Sequence, residues 1–234
     1  MNRDSQRLIQ SLIKAEYFHE RRAPDLHKPQ CTITVSRQCG SLGESFAERL
    51  AERLDLLYFD RDLLEETARE AGVDPAVFAE LDESVKGLRP NWLEVVFTNK
   101  PLQQKQYLRA LINVIIGISR YGGVILGRGA NFVLSGTFTF RVRIVGSVPI
   151  RAGRYAAFHG VDLETAEQKV LETDRDRAAF VKTLFGKDIN EPAAYDLVMN
   201  SDRIGVEAMV DLAVKALRAG HFCHRPDHKG QIVK

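Results

Sequence analysis

A short β-rich run, a glycine-containing loop and an amphipathic helix follow one another in the first quarter of the chain, and this order constrains the fold more than any other feature. The run CTITVS leads into the turn-like stretch QCGSLGE, after which Phe46 and Leu50 begin a helical apolar pattern. In such a loop the backbone N–H groups and the helix N-terminus converge on an anion, and glycine lets the backbone come close to it. Gly40 and Gly43, with Ser41 between them, therefore predict a phosphate-binding loop, although a plain βα turn would show the same residues.

Four further β-rich runs alternate with helical patterns along the rest of the chain. They are LLYFD at 56–60, GGVILG at 122–127, FRVRIVG at 140–146 and YDLVMN at 195–200. Strands separated by helices in this way predict a parallel sheet with helices on both faces, here a three-layer α/β/α fold with five strands. At 234 residues and 44% hydrophobic content, the chain has room for one such core.

The flanks of this core are predicted to be appendages. The expected parts are a helical extension at 1–28, the α/β domain at 29–219 with a helical lid at approximately 151–192, and a polar tail at 220–234. In the extension, Leu8, Ile9, Leu12 and Ile13 share one stripe of an amphipathic helix. Because that stripe must dock on the body or on a partner, a homo-oligomer formed through it is one expectation.

The charge of the chain is nearly balanced, with 33 basic and 31 acidic side chains. A balanced chain has no global field that would draw it onto nucleic acid or an anionic membrane, so any anion site must be local. No stretch approaches the length of a membrane span, and the first thirty residues lack the apolar segment of a signal peptide. We therefore expect small molecules as partners, without nucleic acid or membrane.

The cysteines bear on the compartment. Cys31, Cys39 and Cys223 are few, odd in number and without CxxC spacing. This pattern argues against a disulfide framework and against a zinc site, so the expected compartment is reducing, which means the cytoplasm.

The loop departs from the standard phosphate-loop pattern GxxxxGK[ST]. In register with that pattern, Gln38 stands at the first glycine, Gly43 at the second and Glu44 at the lysine. Ser45 stands at the hydroxyl that would bind Mg2+. Arg37, at the loop entrance, is the candidate cation in place of the lysine, because a guanidinium can hold phosphate through two hydrogen bonds. A surface arginine that caps the strand is the alternative.

The segment ITVSRQCGSLGESFAERLAERLDLLYFDRDLL resembles the amino-terminal part of the cytidylate kinase-like family, whose members carry an SRExGSGG loop followed by a YDR motif. Similar stretches follow in the order VILGRGANFVL, FRVRIVGSVPIRAGR, TDRDRAAF and YDLVMNS, so that the resemblance covers residues 31–217. That family also departs from the loop lysine. Leu42 and Glu44 stand where it tends to have a glycine and a basic residue.

The resemblance implies a P-loop NTPase-type fold and an ATP-dependent kinase that uses magnesium and phosphorylates a nucleoside monophosphate of the CMP or dCMP kind, or a similar acceptor. By resemblance, the donor phosphates would meet the loop residues Gly40, Ser41, Leu42, Gly43, Glu44 and Ser45. The acceptor would meet Asp60, Arg61, Gly127 and Arg128. The catalytic cations would be Arg37, Arg128, and Arg175 and Arg177 from the lid.

Each of these assignments has a plainer alternative. Asp60 could simply cap the helix expected to begin at Arg61, and mixed charges such as Asp174 and Lys182 usually form a solvated helix face. A nucleotide-binding sensor or assembly protein is the alternative function, because the lysine is missing and Glu44 lies in the loop. A small-molecule kinase outside nucleotide metabolism would share the donor site and differ at the acceptor site.

Overall fold

The structure is a computed structural model that describes residues 31–60, 111–112, 114–119, 122–135 and 137–223. The chain divides into two units, one of residues 25–60 and 119–234 and one of residues 1–24 and 61–118. In the second unit, the described residues 111–112 and 114–118 are helical. The predicted helical extension, Arg61 and the tail beyond residue 223 lie outside the described residues.

Five parallel strands form one sheet in the first unit, in the order β2-β3-β1-β4-β5. They are β1 Thr32–Arg37, β2 Tyr58–Phe59, β3 Gly123–Leu126, β4 Thr139–Val145 and β5 Leu197–Asn200. Because β1 lies between β3 and β4, the loop after β1 opens at the centre of the carboxyl edge, where ligands bind in sheets of this kind. The predicted five-stranded parallel sheet is confirmed.

Helices connect the strands of this unit. They are α1 Gly43–Leu54, α2 Ala130–Val133, α3 Val148–His159, α4 Leu163–Phe185 and α5 Val206–Ala219, with a 3-10 turn at Pro192–Ala194. The long helix α4 begins where the Asp162 side chain accepts a hydrogen bond from the N–H of Thr165, and it ends at Gly186, whose φ is 65°. Within the described ranges, no helix is both long enough and apolar enough to cross a membrane.

The apolar core lies on the sheet face that α1 and α5 cover. Ile33 and Val35 of β1 point to this face and are 0% and 1% exposed. They belong to the same cluster of buried side chains as Phe46 and Leu50 of α1 and Met209 of α5. Fully burying a side chain of this size contributes about 1.5–3 kcal/mol. This packing fixes the direction in which α1 leaves the loop.

The opposite face of β1 is polar. Thr32, Thr34 and Ser36 alternate with the apolar residues of the strand, and all three are buried. The pairing of β1 with β4 places Ser36 beside Arg143, which is also buried. The sheet therefore buries hydroxyl groups and a guanidinium on the side away from α1.

A disulfide joins Cys31 to Cys223, whose Cα atoms lie 4.5 Å apart, so the prediction against a disulfide is wrong. Cys31 directly precedes β1, and α5 leads the chain back to that end of the sheet, where the rings of Phe222 and Phe140 lie 5.0 Å apart. The two cysteines are 192 residues apart in sequence, so no local spacing could show the pair. The cysteines therefore no longer support the prediction of a reducing compartment.

Candidate phosphate-binding site

The loop between β1 and α1 has the backbone geometry of an anion site. Gly40 has a φ of 71°, and a Cβ there would lie 2.5 Å from the carbonyl oxygen of Arg151, so the position accepts glycine. Leu42 also has a left-handed backbone, with a φ of 63°. This conformation costs a non-glycine residue about 1–2 kcal/mol. Leu42, the N-cap residue of α1, has no polar side chain that could cap the first-turn N–H groups. A helix N-terminus of this kind favours an anion.

Hydrogen bonds hold the base of the loop. The Ser41 hydroxyl, which is fully buried, donates to the carbonyl of Gln38 at 2.8 Å and also approaches the carbonyl of Ile144 at 3.3 Å. The side chain of Gln38 accepts from the N–H of Gly146 at 3.0 Å. Gln38 thus ties the loop to the end of β4. Ser41 orients the loop with its hydroxyl and with its N–H, which donates to the Gln38 carbonyl at 3.4 Å.

Arg37 lies in a slot between two glycines at the carboxyl edge. A Cβ at Gly43 would lie 2.8 Å from its Cγ, and a Cβ at Gly127 would lie 2.6 Å from its Nη1, so both positions need glycine to admit the side chain. The Nε of Arg37 donates to Glu44 at 2.8 Å. Its two terminal nitrogens have no hydrogen-bond partner among the described residues, and its side chain is 13% exposed. The sheet edge therefore presents a cation with unused donors.

Glu44 lies between two arginines. Its Oε1 accepts from Nε of Arg37 at 2.8 Å and from Nη2 of Arg177 at 3.4 Å, and Arg177 also donates to the carbonyl of Arg37 at 3.1 Å. Burial pushes the pKa of Glu44 up, but the charges of Arg37 and Arg177 and the hydrogen bond outweigh it and lower the pKa. Two positive charges and one negative charge thus leave one positive charge at the place of the lysine.

A largely buried ion pair holds helix α4 against the loop. Asp174 accepts from the N–H of Cys39 at 2.8 Å and from Arg151 at 2.7 Å, and Arg151 also donates to the carbonyls of Cys39 and Gly146, each at 2.8 Å. The Arg151 side chain is 2% exposed. The Cys39 peptide is therefore held on both its N–H and its C=O. Burial raises the pKa of the Cys39 thiol, which keeps it protonated.

The sequence reasoning missed this ion pair. It gave a solvated helix face as the plainer alternative for Asp174 and did not consider Arg151. A signal was available: Arg151 lies near the N-terminus of the proline-led helix α3, where the helix dipole disfavours a cation, so another interaction must hold it there.

The end of β3 carries a strained arginine. Gly127, Arg128 and Gly129 are three consecutive residues with left-handed backbones, at φ of 77°, 51° and 69°. A non-glycine residue in this region costs about 1–3 kcal/mol, and such strain clusters at functional sites. The Arg128 guanidinium lies 5.1 Å from the ring centroid of Phe180 in α4, within range of a cation–π contact. Thus α4 contacts Arg128, which is one of the residues predicted to bind the acceptor, as well as the loop.

The remaining predicted site residues are placed as follows. Asp60 follows directly after β2, at the same carboxyl edge as Arg37 and Arg128. Ser45 is exposed in the first turn of α1, next to the uncapped N–H groups. Arg175 is exposed on α4 and does not join the Glu44 group, whereas Arg177 does. Arg61 lies outside the described residues.

A parallel sheet whose central strand runs through a glycine loop into an uncapped helix, with arginines at the same edge, defines a P-loop α/β protein. Within that class, the chain belongs to the cytidylate kinase-like family, whose model matches residues 32–203.

Comparison with individual proteins agrees with this family assignment. The chain is 26% identical to a cytidylate kinase of Methanopyrus kandleri over 182 residues, which covers 73% of this chain and 84% of the relative. It is 25% identical to a cytidylate kinase of Pyrococcus horikoshii over 195 residues, covering 81% and 91%.

Solved structures support the fold alone. An uncharacterized protein from Eubacterium ventriosum matches with a TM-score of 0.63 at 21% identity, over 81% of this chain and 99% of that one. An unliganded sugar kinase from Janibacter sp. HTCC2649 matches with a TM-score of 0.50 at 15% identity, over 83% and 98%.

Proposed function

We propose that the protein transfers the γ-phosphoryl group of ATP to a nucleoside monophosphate, such as CMP or dCMP, or to a similar small phosphorylated acceptor. The observation that carries this proposal is the position of Arg37. Its side chain lies in a slot between the loop and the end of β3, with its terminal nitrogens unused by the described residues. The names of the relatives, cytidylate kinases, agree with it.

The donor end of the site would be built on the loop. The backbone from Gly40 to Ser45 and the uncapped turn of α1 fit an anionic polyphosphate, since the glycines admit close approach. The exposed hydroxyl of Ser45 would bind Mg2+, which neutralises charge on the phosphates when bound. Arg37 and Arg177 would supply the positive charge that the loop lysine supplies elsewhere.

The acceptor end would lie at the neighbouring strand ends. Asp60 and Arg128 stand at the same carboxyl edge as Arg37, and Gly127, which directly precedes Arg128, lies against Nη1 of Arg37. Arg128 would hold the acceptor's phosphate, whereas Arg61, for which the same role was predicted, lies outside the described residues. Phosphoryl transfer needs mainly in-line positioning and charge stabilisation, and this row of cations can provide both.

The test is ADP formation from ATP and magnesium against a panel of ribo- and deoxynucleoside monophosphates. We expect turnover with one acceptor or a related pair, and a loss of at least about tenfold in kcat/KM in Ser45→Ala and in Arg128→Ala. Lys187→Ala, on an exposed residue away from the loop, is the matched control and should behave as the wild type. ATP hydrolysis that is indifferent to every acceptor would contradict the proposal.

A second function is favoured by one specific observation, the ionised Glu44 at the lysine position. A carboxylate there opposes phosphate charge, which suits a sensor that binds nucleotide without turning it over. This reading predicts measurable ATP binding by calorimetry with no ADP formed for any acceptor in the panel. Turnover with even one acceptor would rule out the sensor function.

A further inference from the structure

The turn after β3, which carries Arg128, is flanked by aromatic rings. Phe180 and Phe185 of α4 and Phe132 of α2 are half-buried there. The rings of Phe132 and Phe185 stack with their centroids 6.2 Å apart, and those of Phe180 and Phe185 meet edge to face at 6.5 Å. A Cβ at Gly129 would overlap the Phe185 ring, so the turn and the end of α4 are in direct contact. These rings join α4 to the turn and bring no charge of their own.

The Arg128 guanidinium packs on one of these rings. Its Cζ lies 5.1 Å from the centroid of Phe180, inside the range of about 6 Å in which the face of a ring attracts a cation. A carboxylate restrains a guanidinium differently: Asp196 pairs with both Nε and Nη2 of Arg141, at 3.0 and 2.6 Å, and neutralises that arginine. The Phe180 ring restrains Arg128 without adding a negative charge.

Phe180 is a neighbour of Arg177 on the surface of α4, because residues three apart on a helix lie side by side. Arg177 donates to Glu44 in the loop after β1, at 3.4 Å. Phe180 contacts Arg128 in the turn after β3, the strand that pairs with β1. One segment of α4 therefore contacts both the loop and the turn, and it sets the position of the Arg128 side chain relative to the loop.

An arginine side chain has many rotamers, and a ligand that binds it must order them if nothing else has done so. A contact that orders the side chain beforehand removes this cost from binding. Arg128 stands between Gly127 and Gly129, which have left-handed backbones at φ of 77° and 69° and no side chains to pack against it. The Phe180 ring therefore supplies an ordering contact that the adjacent residues of the turn cannot supply.

We propose that Phe180 is a positioning residue for the acceptor: its ring orders the Arg128 guanidinium at the carboxyl edge before a nucleoside monophosphate binds. This role rests on the proposed function, in which Arg128 binds the acceptor's phosphate. Phe180 acts through Arg128 rather than on the substrate itself. Its removal should therefore weaken the binding of the acceptor and leave the donor end of the site unchanged.

The test is calorimetric titration of CMP into the full-length wild type and into Phe180→Leu, which keeps an apolar side chain but lacks the ring. We expect the Kd for CMP to rise about three- to tenfold, the factor that corresponds to ordering one rotamer-rich side chain. Phe180→Tyr should bind CMP within about twofold of the wild type, because a phenol keeps the ring face that attracts the cation. Phe158→Leu is the matched control, since Phe158 is 85% exposed on α3, and it should leave the Kd unchanged.

Three readouts separate this role from a purely structural one. If Phe180 acts through Arg128, Phe180→Leu adds no further loss of CMP affinity in an Arg128→Met background. The Kd for ATP should stay within about twofold of the wild type in Phe180→Leu, because the loop binds the donor phosphates. In turnover, KM for CMP should rise with kcat unchanged, which is the pattern of lost uniform binding.

Each outcome has a distinct meaning. CMP binding to the wild type with an equal Kd in Phe180→Leu would overturn this role and leave the proposed function standing. Equal losses for CMP and ATP, with no rescue by Phe180→Tyr, would overturn it as well, because Phe180 would then only support the fold. No saturable CMP binding to the wild type would overturn both this role and the proposed acceptor site. If Phe180→Leu does not fold, Phe180→Met, which also lacks a ring and adapts to irregular packing, takes its place with the same expected loss.

Discussion

The carboxylate of Glu44 lies 2.8 Å from Nε of Arg37, so the position of the loop lysine carries an anion that is itself held by cations. The arrangement holds two guanidinium groups beside the loop that we propose binds phosphate. A phosphate group entering the loop would meet Arg37 and Arg177 already together, and would compete with Glu44 for them.

Replacing Glu44 by Gln should tighten ATP binding. The amide keeps the shape of the carboxylate but neither repels the phosphates nor competes for the arginines. We expect the Kd for ATP to fall about two- to fivefold, which is the size of one partly exposed charge interaction. Calorimetry measures it, with Glu48→Gln, exposed on the same helix, as the control. Weaker binding in Glu44→Gln would show that Glu44 positions the arginines more than it competes for them.

The stability that Glu44 supplies should depend on pH. Although its partial burial raises the pKa, the two arginines hold the pKa of Glu44 below the ordinary 4.5. A carboxyl with a lowered pKa stabilises the fold above its unfolded pKa, and this contribution is lost as the pH falls through the folded pKa. The wild type should therefore exceed Glu44→Gln by up to about 1 kcal/mol at neutral pH, and the difference should shrink below about pH 4.5. Urea unfolding at several pH values measures it; a difference that does not change with pH contradicts the ion pair.

Substituting Gly127 by Ala should displace Arg37. The new Cβ would lie 2.6 Å from Nη1, and the backbone at φ 77° disfavours any side chain. We expect a loss of about 1–3 kcal/mol in the free energy of unfolding and a clear loss of ATP affinity. Gly153→Ala is the matched control, since its Cβ meets open space on α3, and it should stabilise by about 0.4–1 kcal/mol. Equal unfolding curves for the two variants would mean that the slot is not formed.

Breaking the clamp between Arg151 and Asp174 should be costly. Removing one partner leaves the other charge buried and the Cys39 peptide partly unbonded, so Arg151→Met should lose about 3–5 kcal/mol in chemical denaturation. Adding Asp174→Asn should cost much less than the sum of the single changes. The exposed pair of Lys169 and Glu172 is the control, with a coupling of about 0–0.5 kcal/mol. Additive effects at Arg151 and Asp174 would rule the clamp out.

The disulfide should stabilise the protein only under oxidising conditions. It closes a long loop, since the two cysteines are 192 residues apart in sequence, and a loop of this length gains about 5 kcal/mol in the chain-entropy model. Cys31→Ser should therefore melt lower than the wild type without reductant and at the same temperature with it. Cys39→Ser, which removes the remaining described thiol, should still melt at a lower temperature with reductant than without it. A wild-type Tm that does not respond to reductant argues against the bond.

Local sequence patterns predicted the parts of the fold that local chemistry decides. The order of β1, the loop and α1 follows from apolar alternation, glycines and helical spacing within a few residues of one another. Arg37 was singled out from its position at the loop entrance, and the structure places its side chain between Gly43 and Gly127; its role in place of the lysine stays a prediction.

The contacts that the sequence did not predict join distant segments. The pair of Arg151 with Asp174, the contact of Arg177 with Glu44, and the Cys31–Cys223 bond depend on how α3, α4 and α5 pack, which no short window records. The sequence gives one weak indication of the buried Arg143, because this charged residue lies within a β-rich run whose other residues are mostly apolar. The sequence reasoning treated it only as part of the alternation.

The bond between Cys31 and Cys223 also turns the chain between them into a covalent ring. An ATP-dependent unfoldase that pulls on one terminus can translocate only the residues outside the ring as a single chain. At the disulfide it must translocate two polypeptide segments at the same time. Degradation of this protein would therefore be slower while the disulfide is intact, and its lifetime would depend on the redox state of its surroundings.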